Sequence, residues 1–440
     1  MKKSLLPLFI IFNLLIIFYF WFVGSGDLIL SGNTEQILLS LGRLSGLLAV
    51  FFVLLQLILI GRLSWVECVF GMDKLSRLHH WNGIIAFGFI ITHPILLGLS
   101  YARFNEVSFF QQLVDFTFRW EEVGGAVLGT LLFAVIVISS MVAGLRKVKY
   151  EFWFWVHFTV YLAILLVFEH EIEVGGDFVG QPLFVAYWYA LYAFAIGNLV
   201  LFRFVRPAYY FYTHRFYVDK VVRETASTVS IYIKGRKMDQ FKIEAGQFMI
   251  FRFLDAKRWW QAHPFSLSCA PNDEYLRITV KNVGDFTSEI SGVKVGTPVL
   301  VDGPHGIFTK KVARSNKLLF VAGGVGITPI RSLVEQMAQE KRELTLVYSN
   351  KYSSDIVFFS ELELLAEQYH FELYHVLSDD HAWQGLKGRI HIDMLKQLVN
   401  DVDERDVYVC GPPAMMESVI NILQKMFVSK QRIHFEKFSL

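Results

Sequence analysis

Cysteine is scarce in this chain: three in 440 residues, Cys68, Cys269 and Cys410, all far apart. That spacing excludes a disulfide framework and the usual zinc patterns. Net charge is nearly absent, at +2, and no stripe of basic residues runs along any segment. Nucleic acid is therefore not an expected partner. Internal repeats and low-complexity tracts are missing as well. The apolar run that follows Met1, Lys2 and Lys3 lacks a small-residue cleavage site before about Val23. It reads as a retained membrane helix, not as a leader peptide.

Apolar side chains are abundant. Hydrophobic residues make up 54% and the mean hydropathy is +0.41, too apolar for an ordinary soluble protein. Six apolar runs, at 5–23, 38–60, 78–99, 124–144, 152–170 and 183–204, are each about long enough to cross a bilayer. Lys2, Lys3, Arg62, Lys74, Arg77, Arg146, Lys147, Lys149, Arg203 and Arg206 fall at one set of ends, against mainly Arg103 and Arg119 at the other. The positive-inside rule then predicts a multi-pass protein of the cell membrane with both termini in the cytoplasm.

Two of these runs carry histidine near either end, His79 (or His80) and His93 in the third, His157 and His170 in the fifth. An ionisable residue inside a membrane is a functional candidate by default. Two such helices side by side offer two stacked imidazole pairs, which is what two haem irons held from both sides require. His79 and His93 are 14 residues apart, roughly 21 Å of rise with only about 40° of net rotation, so both rings share a face. This favours His79 over His80 as the inner ligand. His157 and His170 are 13 apart, which on an ideal helix sets the rings roughly 140° from each other. The fifth helix is therefore predicted to be locally distorted, or else one of its two ligands is misassigned. Arg43, opening the second span, is either a partner for a haem propionate or an interfacial arginine that snorkels. Glu169, Glu171, Glu173 and Asp177 at the outer end of the fifth span read as a solvated loop, or else as a negative funnel for cationic acceptors.

Composition changes at Pro207. Short alternating runs such as 229–233, 248–253 and 276–280 predict an antiparallel β-barrel. From Lys317 strand and helix alternate, which predicts a doubly wound α/β domain with a parallel sheet. The expected division is 1–207 for a six-helix transmembrane bundle, 208–312 for the barrel and 313–440 for the α/β domain. Gly323-Gly324-Val325-Gly326-Ile327-Thr328-Pro329 joins the first strand of the last domain to its helix. Its glycines admit a phosphate to the helix N-terminus, with Thr328 as N-cap and Pro329 as first helical residue. The second strand ends at Asn350-Lys351 with no carboxylate, so Lys351 suits the 2′-phosphate of NADPH better than the free ribose of NADH. In the barrel, His263-Pro264-Phe265-Ser266, Lys281 to Thr287, and Gly303-Pro304-His305-Gly306 place aromatics and hydroxyls beside glycine turns, as suits a planar ring with phosphates.

These motifs, with Cys410-Gly411-Pro412-Pro413, resemble the ferredoxin-NADP reductase type of flavin module. Joined to the histidine pattern, nearly the whole chain resembles the ferric reductase and NADPH oxidase superfamily. The resemblance implies that His79 with His157, and His93 with His170, hold two b-type haems. It puts His263, Pro264, Phe265 and Ser266 along FAD, with Gly284, Asp285, Phe286 and Thr287 near its phosphates. It puts Gly323, Gly324, Gly326, Thr328 and Pro329 on the nucleotide pyrophosphate, Cys410, Gly411 and Pro412 near the nicotinamide, and Phe438 over the flavin ring. Arg389 is a further candidate grip on the nucleotide. The implied activity is electron transfer from cytosolic NADPH, through FAD and haem, to an extracytoplasmic ferric complex or dioxygen. No obligatory protein partner is implied. The alternative is a b-type cytochrome subunit that serves a partner protein; a proton-relaying transporter would leave the soluble half unexplained. Leu97 stands where animal oxidases carry a further histidine, and no calcium-binding loop of the Asp-x-Asp-x-Asp-Gly kind is present.

Overall fold

The computed structural model describes residues 4–144 and 150–436. Lys2, Lys3, Arg146, Lys147 and Lys149, used above for orientation, and Phe438 lie outside them. The chain divides into two compact units, one of Met1–Val66 with Lys74–Val200, the other of Glu67–Asp73 with Leu201–Leu440.

The first unit holds helices long and apolar enough to cross a membrane. The six spans are Leu5–Leu30, Thr34–Ile60, Met72–Phe104, Val123–Gly144, Phe152–Val174 and Pro182–His214, the last running on into the second unit. Each exceeds the run expected from composition, because helical hydrogen bonding continues into polar flanks such as Asp73, Lys74 and Arg77. The second span is the centre of the bundle: 61% of its apolar window is buried, against 17% for the first. It starts cleanly because the Asn33 side chain accepts the Glu35 N–H at 3.1 Å, filling one of the orphan donors of a helix start. Pro94 sits inside the third span, next to His93, and removes one helical hydrogen bond there.

The fifth span is interrupted where distortion was expected. Helix Tyr150–Phe158 gives way to helix Val160–Val174. Between them the Thr159 N–H bonds to Val156 O at 3.1 Å, an i→i−3 turn that overwinds the backbone and rotates His170 back toward the face of His157.

The second unit begins with two three-stranded antiparallel sheets. One has the order β1 (Tyr217–Thr225), β2 (Thr228–Lys234), β5 (Leu276–Lys281); the other β4 (His263–Ser266), β3 (Phe248–Phe253), β6 (Val299–His305). Bridges at Tyr217–Pro298 and Leu267–Ile278 link flanking segments. Their inward residues, including Ile231, Phe251, Ile278 and Val301, form one core.

A six-stranded parallel sheet follows, in the order β10 (Leu386–Lys387), β9 (Glu372–Leu377), β8 (Glu343–Asn350), β7 (Lys317–Gly323), β11 (Asp406–Cys410), β12 (Ile433–Phe435). Both faces are buried. Leu318, Phe320 and Ala322 point into one core with helices Ile327–Gln339 and Phe359–Tyr369. Leu319 and Val321 point into the other, with Ile392–Leu398 and Pro413–Lys425. This period-two division of a continuously apolar strand is the mark of a doubly wound sheet.

Candidate functional sites

Within the first unit the histidines meet in two layers. The rings of His79 and His157 have centroids 6.2 Å apart, and those of His93 and His170 6.3 Å apart. Two imidazoles each about 2 Å from a shared iron put their centroids about 6 Å apart, so both gaps fit an axially ligated haem. His80 is exposed and packs on Trp81 instead. Among the described residues no three His, Cys, Asp or Glu side chains converge as they would around a bare ion.

The tautomers agree with ligation. His93 Nδ1 lies 2.8 Å from Gly42 O; a carbonyl only accepts, so Nδ1 carries the proton and Nε2 presents its lone pair. His157 Nδ1 is 3.4 Å from Ser140 Oγ, whose own proton goes to Ile136 O at 2.7 Å. Nδ1 is again the donor. Gly46 gives His93 its space, since a Cβ there would sit 2.7 Å from Nδ1.

A cavity of about 370 Å³ surrounds His93 and His170. Arg43, Gly46, Leu97, Trp120, Glu171 and Asp177 are in its wall. Arg43 is paired: its Nη1 is 3.3 Å from Ser25 Oγ and 3.9 Å from Asp177 Oδ1, and Ser25 also bonds Asp177. The acidic cluster is correspondingly split. Glu169 and Glu173 are exposed, whereas Asp177 is buried and Glu171 turns inward to accept from Trp188 Nε1 at 3.1 Å and Tyr192 OH at 2.9 Å. A solvated loop does not describe these two. The available signal was that Glu171 directly follows His170 on an apolar helix.

In the second unit, His263 stacks on Phe286 at 3.8 Å, with Phe265 6.2 Å from the same ring. Strand register sets Ser266 opposite Phe248, and Phe248 opposite His305, in one row across β4, β3 and β6. Ser266 Oγ is buried without a hydrogen-bond partner, a vacancy that suits a polar ring edge. Lys281 ends β5, and Thr287 Oγ accepts the N–H groups of Val283 and Gly284 at 2.9 Å each. A Cβ at Gly284 would meet nothing within 4 Å, so the turn with Asp285 leaves room for a phosphate.

The glycine turn after β7 divides its labour. Gly324, at φ +52°, opens onto space. Gly326 instead allows close packing: a Cβ there would lie 2.5 Å from Cys410 O and 2.6 Å from Gly411 N. Gly323 likewise packs against Met415 and Pro412. The helix begins at Ile327, two residues earlier than expected. Thr328 is therefore not its N-cap; its hydroxyl donates to Val325 O at 3.1 Å. Pro329 is the third helical residue, where its missing N–H still costs no helical bond. Lys351 and Arg389 are both exposed. Cys410 is fully buried at the end of β11, and burial followed by the charge of Glu436 pushes its thiol well above the ordinary range.

Comparison with known proteins matches three family models in chain order. They are a ferric reductase like transmembrane component at residues 45–168, an FAD-binding domain at 215–352 and an oxidoreductase NAD-binding domain at 320–421. A 3-ketosteroid-9-alpha-monooxygenase ferredoxin reductase component from Rhodococcus rhodochrous is 30% identical over 50% of this chain and 64% of its own length. Flavohemoprotein A from Dictyostelium discoideum is 29% identical over 51% of this chain and 60% of its own. The chain thus spans less than two thirds of these relatives. The FAD/NAD-binding domain of a Vibrio cholerae nitric oxide dioxygenase aligns with 51% of this chain and 99% of its own, at 26% identity and a TM-score of 0.47.

Proposed function

From a chain whose membrane, FAD-binding and NAD-binding parts together have the architecture of the ferric reductase and NADPH oxidase superfamily, we propose a transmembrane electron path. NADPH is oxidised on the cytoplasmic side, and a ferric complex or dioxygen is reduced on the other. Fusion of a ferric reductase-like membrane part to a flavin and nicotinamide module makes the protein an oxidoreductase. The observation that carries the finer reading is the two facing imidazole pairs, each spaced for one iron.

When bound, FAD and two b-type haems supply the redox chemistry, accepting an electron pair from the nicotinamide and moving electrons singly. The chain's own residues hold and orient these groups. His79 and His157 take the inner iron, and His93 and His170 the outer one. Gly42 O and Ser140 Oγ fix which nitrogen of His93 and of His157 faces the metal. Phe265 and His263 wall the flavin, Ser266 meets its ring, and Lys281 with Gly284, Asp285, Phe286 and Thr287 lies along its phosphates. The turn at Gly324, with Gly323, Gly326, Thr328 and Pro329, receives the nucleotide pyrophosphate. Lys351 and Arg389 serve its adenosine end. Cys410, Gly411 and Pro412 face the nicotinamide, the buried Cys410 as a neutral thiol. At the outer cavity Asp177 and Ser25 restrain Arg43, so the acceptor meets a fixed cation.

The test is one spectrum of purified full-length protein before and after NADPH under argon. Bleached flavin with reduced haem bands supports the reading; absence of haem after haem-supplemented expression contradicts it. The acceptor is separated by superoxide dismutase, which abolishes cytochrome c reduction only where dioxygen is reduced first. Lys351→Asp is expected to raise the KM for NADPH about tenfold while sparing NADH.

A further inference from the structure

Four ionisable side chains that the electron path does not use form a buried row in the second unit. Glu67 is 3% exposed; it accepts the Gly306 N–H and lies 3.4 Å from His305 Nδ1. His305 Nε2 is 3.6 Å from Asp302 Oδ1, which accepts from Arg206 Nη2 at 2.8 Å. Burying such groups costs several kcal/mol each even when paired, and a purely structural turn at Gly306 needs only one acceptor. Burial pulls the His305 pKa down, but Asp302 and Glu67 outweigh it and hold the ring above its ordinary value.

Glu436 stands beside this row. One of its oxygens would lie 3.2 Å from a Cβ at Gly306, and the other, Oε2, is buried without a hydrogen-bond partner. Burial, then the charges of Asp73 and Glu67, push Glu436 well above the carboxylate range. Its charge also reaches Cys410. Glu436 therefore sits between the Gly306 turn of the flavin half and the Cys410 end of the nucleotide sheet. Asp73, at the far end of the segment Glu67–Asp73, is exposed to solvent.

Oxidation of one NADPH to NADP⁺ yields two electrons and one proton. If the electrons leave singly through haem, as proposed above, the proton needs a separate exit. Resting on that reading, we propose that Glu67, paired with His305, takes this proton from the Glu436 side and passes it to Asp73 and water. Asp302 and Arg206 fix the charge of His305 and so position the pair. Glu67 belongs to the stretch between the second and third spans, and no flavin or nucleotide motif includes it.

The test times proton release, with a pH-indicator dye in weakly buffered solution, against flavin bleaching and acceptor reduction in full-length, FAD-loaded protein. Glu67→Gln is expected to keep the wild-type FAD stoichiometry and bleaching rate while slowing proton release about a hundredfold, with a solvent isotope effect. Glu67→Asp should restore the release, and Asp73→Asn should slow it less. Wild-type proton release in Glu67→Gln would overturn the proposal. So would loss of FAD from Glu67→Gln and Glu67→Asp alike, since the carboxylate would then only build the turn. Wild-type protein that takes up no FAD would overturn the proposed function, and this route with it.

Discussion

Gly46 and His93 are in contact so close that a methyl group on Gly46 would lie 2.7 Å from Nδ1 and 2.8 Å from Cε1. Gly46→Ala must displace the His93 ring, and with it the proposed outer site. Haem content, read as the pyridine haemochrome, is expected to fall from about two per chain toward about one. Residue chemistry also sets a pH dependence in the second unit. His305 is raised above its unfolded value. Its contribution to stability is therefore fully present below the ordinary histidine pKa and is lost as pH rises through the raised one. The unfolding temperature of this unit should drop as pH rises above the ordinary histidine range and through the raised His305 value, and His305→Gln should flatten that drop. At this scale the two facing histidine pairs were legible, because imidazoles on apolar helices are rare and the rings meet as their spacing suggested. Glu171 and Asp177 were misjudged as solvated, because sequence does not reveal that Trp188, Tyr192, Ser25 and Arg43 wait to receive them.

Elements were legible where their period was strong. The strand expected at 248–253 is β3 without change, and the break near Thr159 followed from the mismatch of 13 residues with a helical turn. Ends were less legible. Helix Phe359–Tyr369 starts only at Phe359, because Phe358 adopts φ +63° after a tight turn at Ser353–Asp355. The short strands β10 and β12 carry too few residues for any period to register. One packing contact between elements was invisible in sequence. Arg277, 4% exposed in its side chain, donates to both oxygens of Glu361 at 3.0 Å each, and Arg331 also pairs with Glu361. Glu361→Ala leaves the buried Arg277 guanidinium without its carboxylate, while Arg331 keeps its pair with Glu335 at 2.6 Å. It should cost about 3 kcal/mol, measured as a lowered denaturation midpoint. Gly326→Ala should meet the Cys410 backbone and weaken NADPH binding more than FAD binding, checked by titrating each.

Across the whole molecule, the order of a membrane part, an antiparallel β part and an α/β part was legible from apolar patterning, whereas the flavin assignment came from motifs and the resemblance they carry. Each imposes its own period on the apolar residues. The row around Glu67 was not, since Glu67 and Gly306 are 239 positions apart and Glu67 lies in no recognisable motif. A signal existed in hindsight: Glu67 is a carboxylate set among Val66, Val69 and Phe70. The proposed electron path depends on two irons, each to be held by one histidine from the third span and one from the fifth. Haem stoichiometry in full-length protein carrying His79→Ala, His157→Ala, His93→Ala or His170→Ala tests this most directly. Two low-spin haems per chain are expected in the wild type, with each variant losing its own layer and keeping the other. Full haem content in a protein lacking both His93 and His170, or in one lacking both His79 and His157, would contradict it.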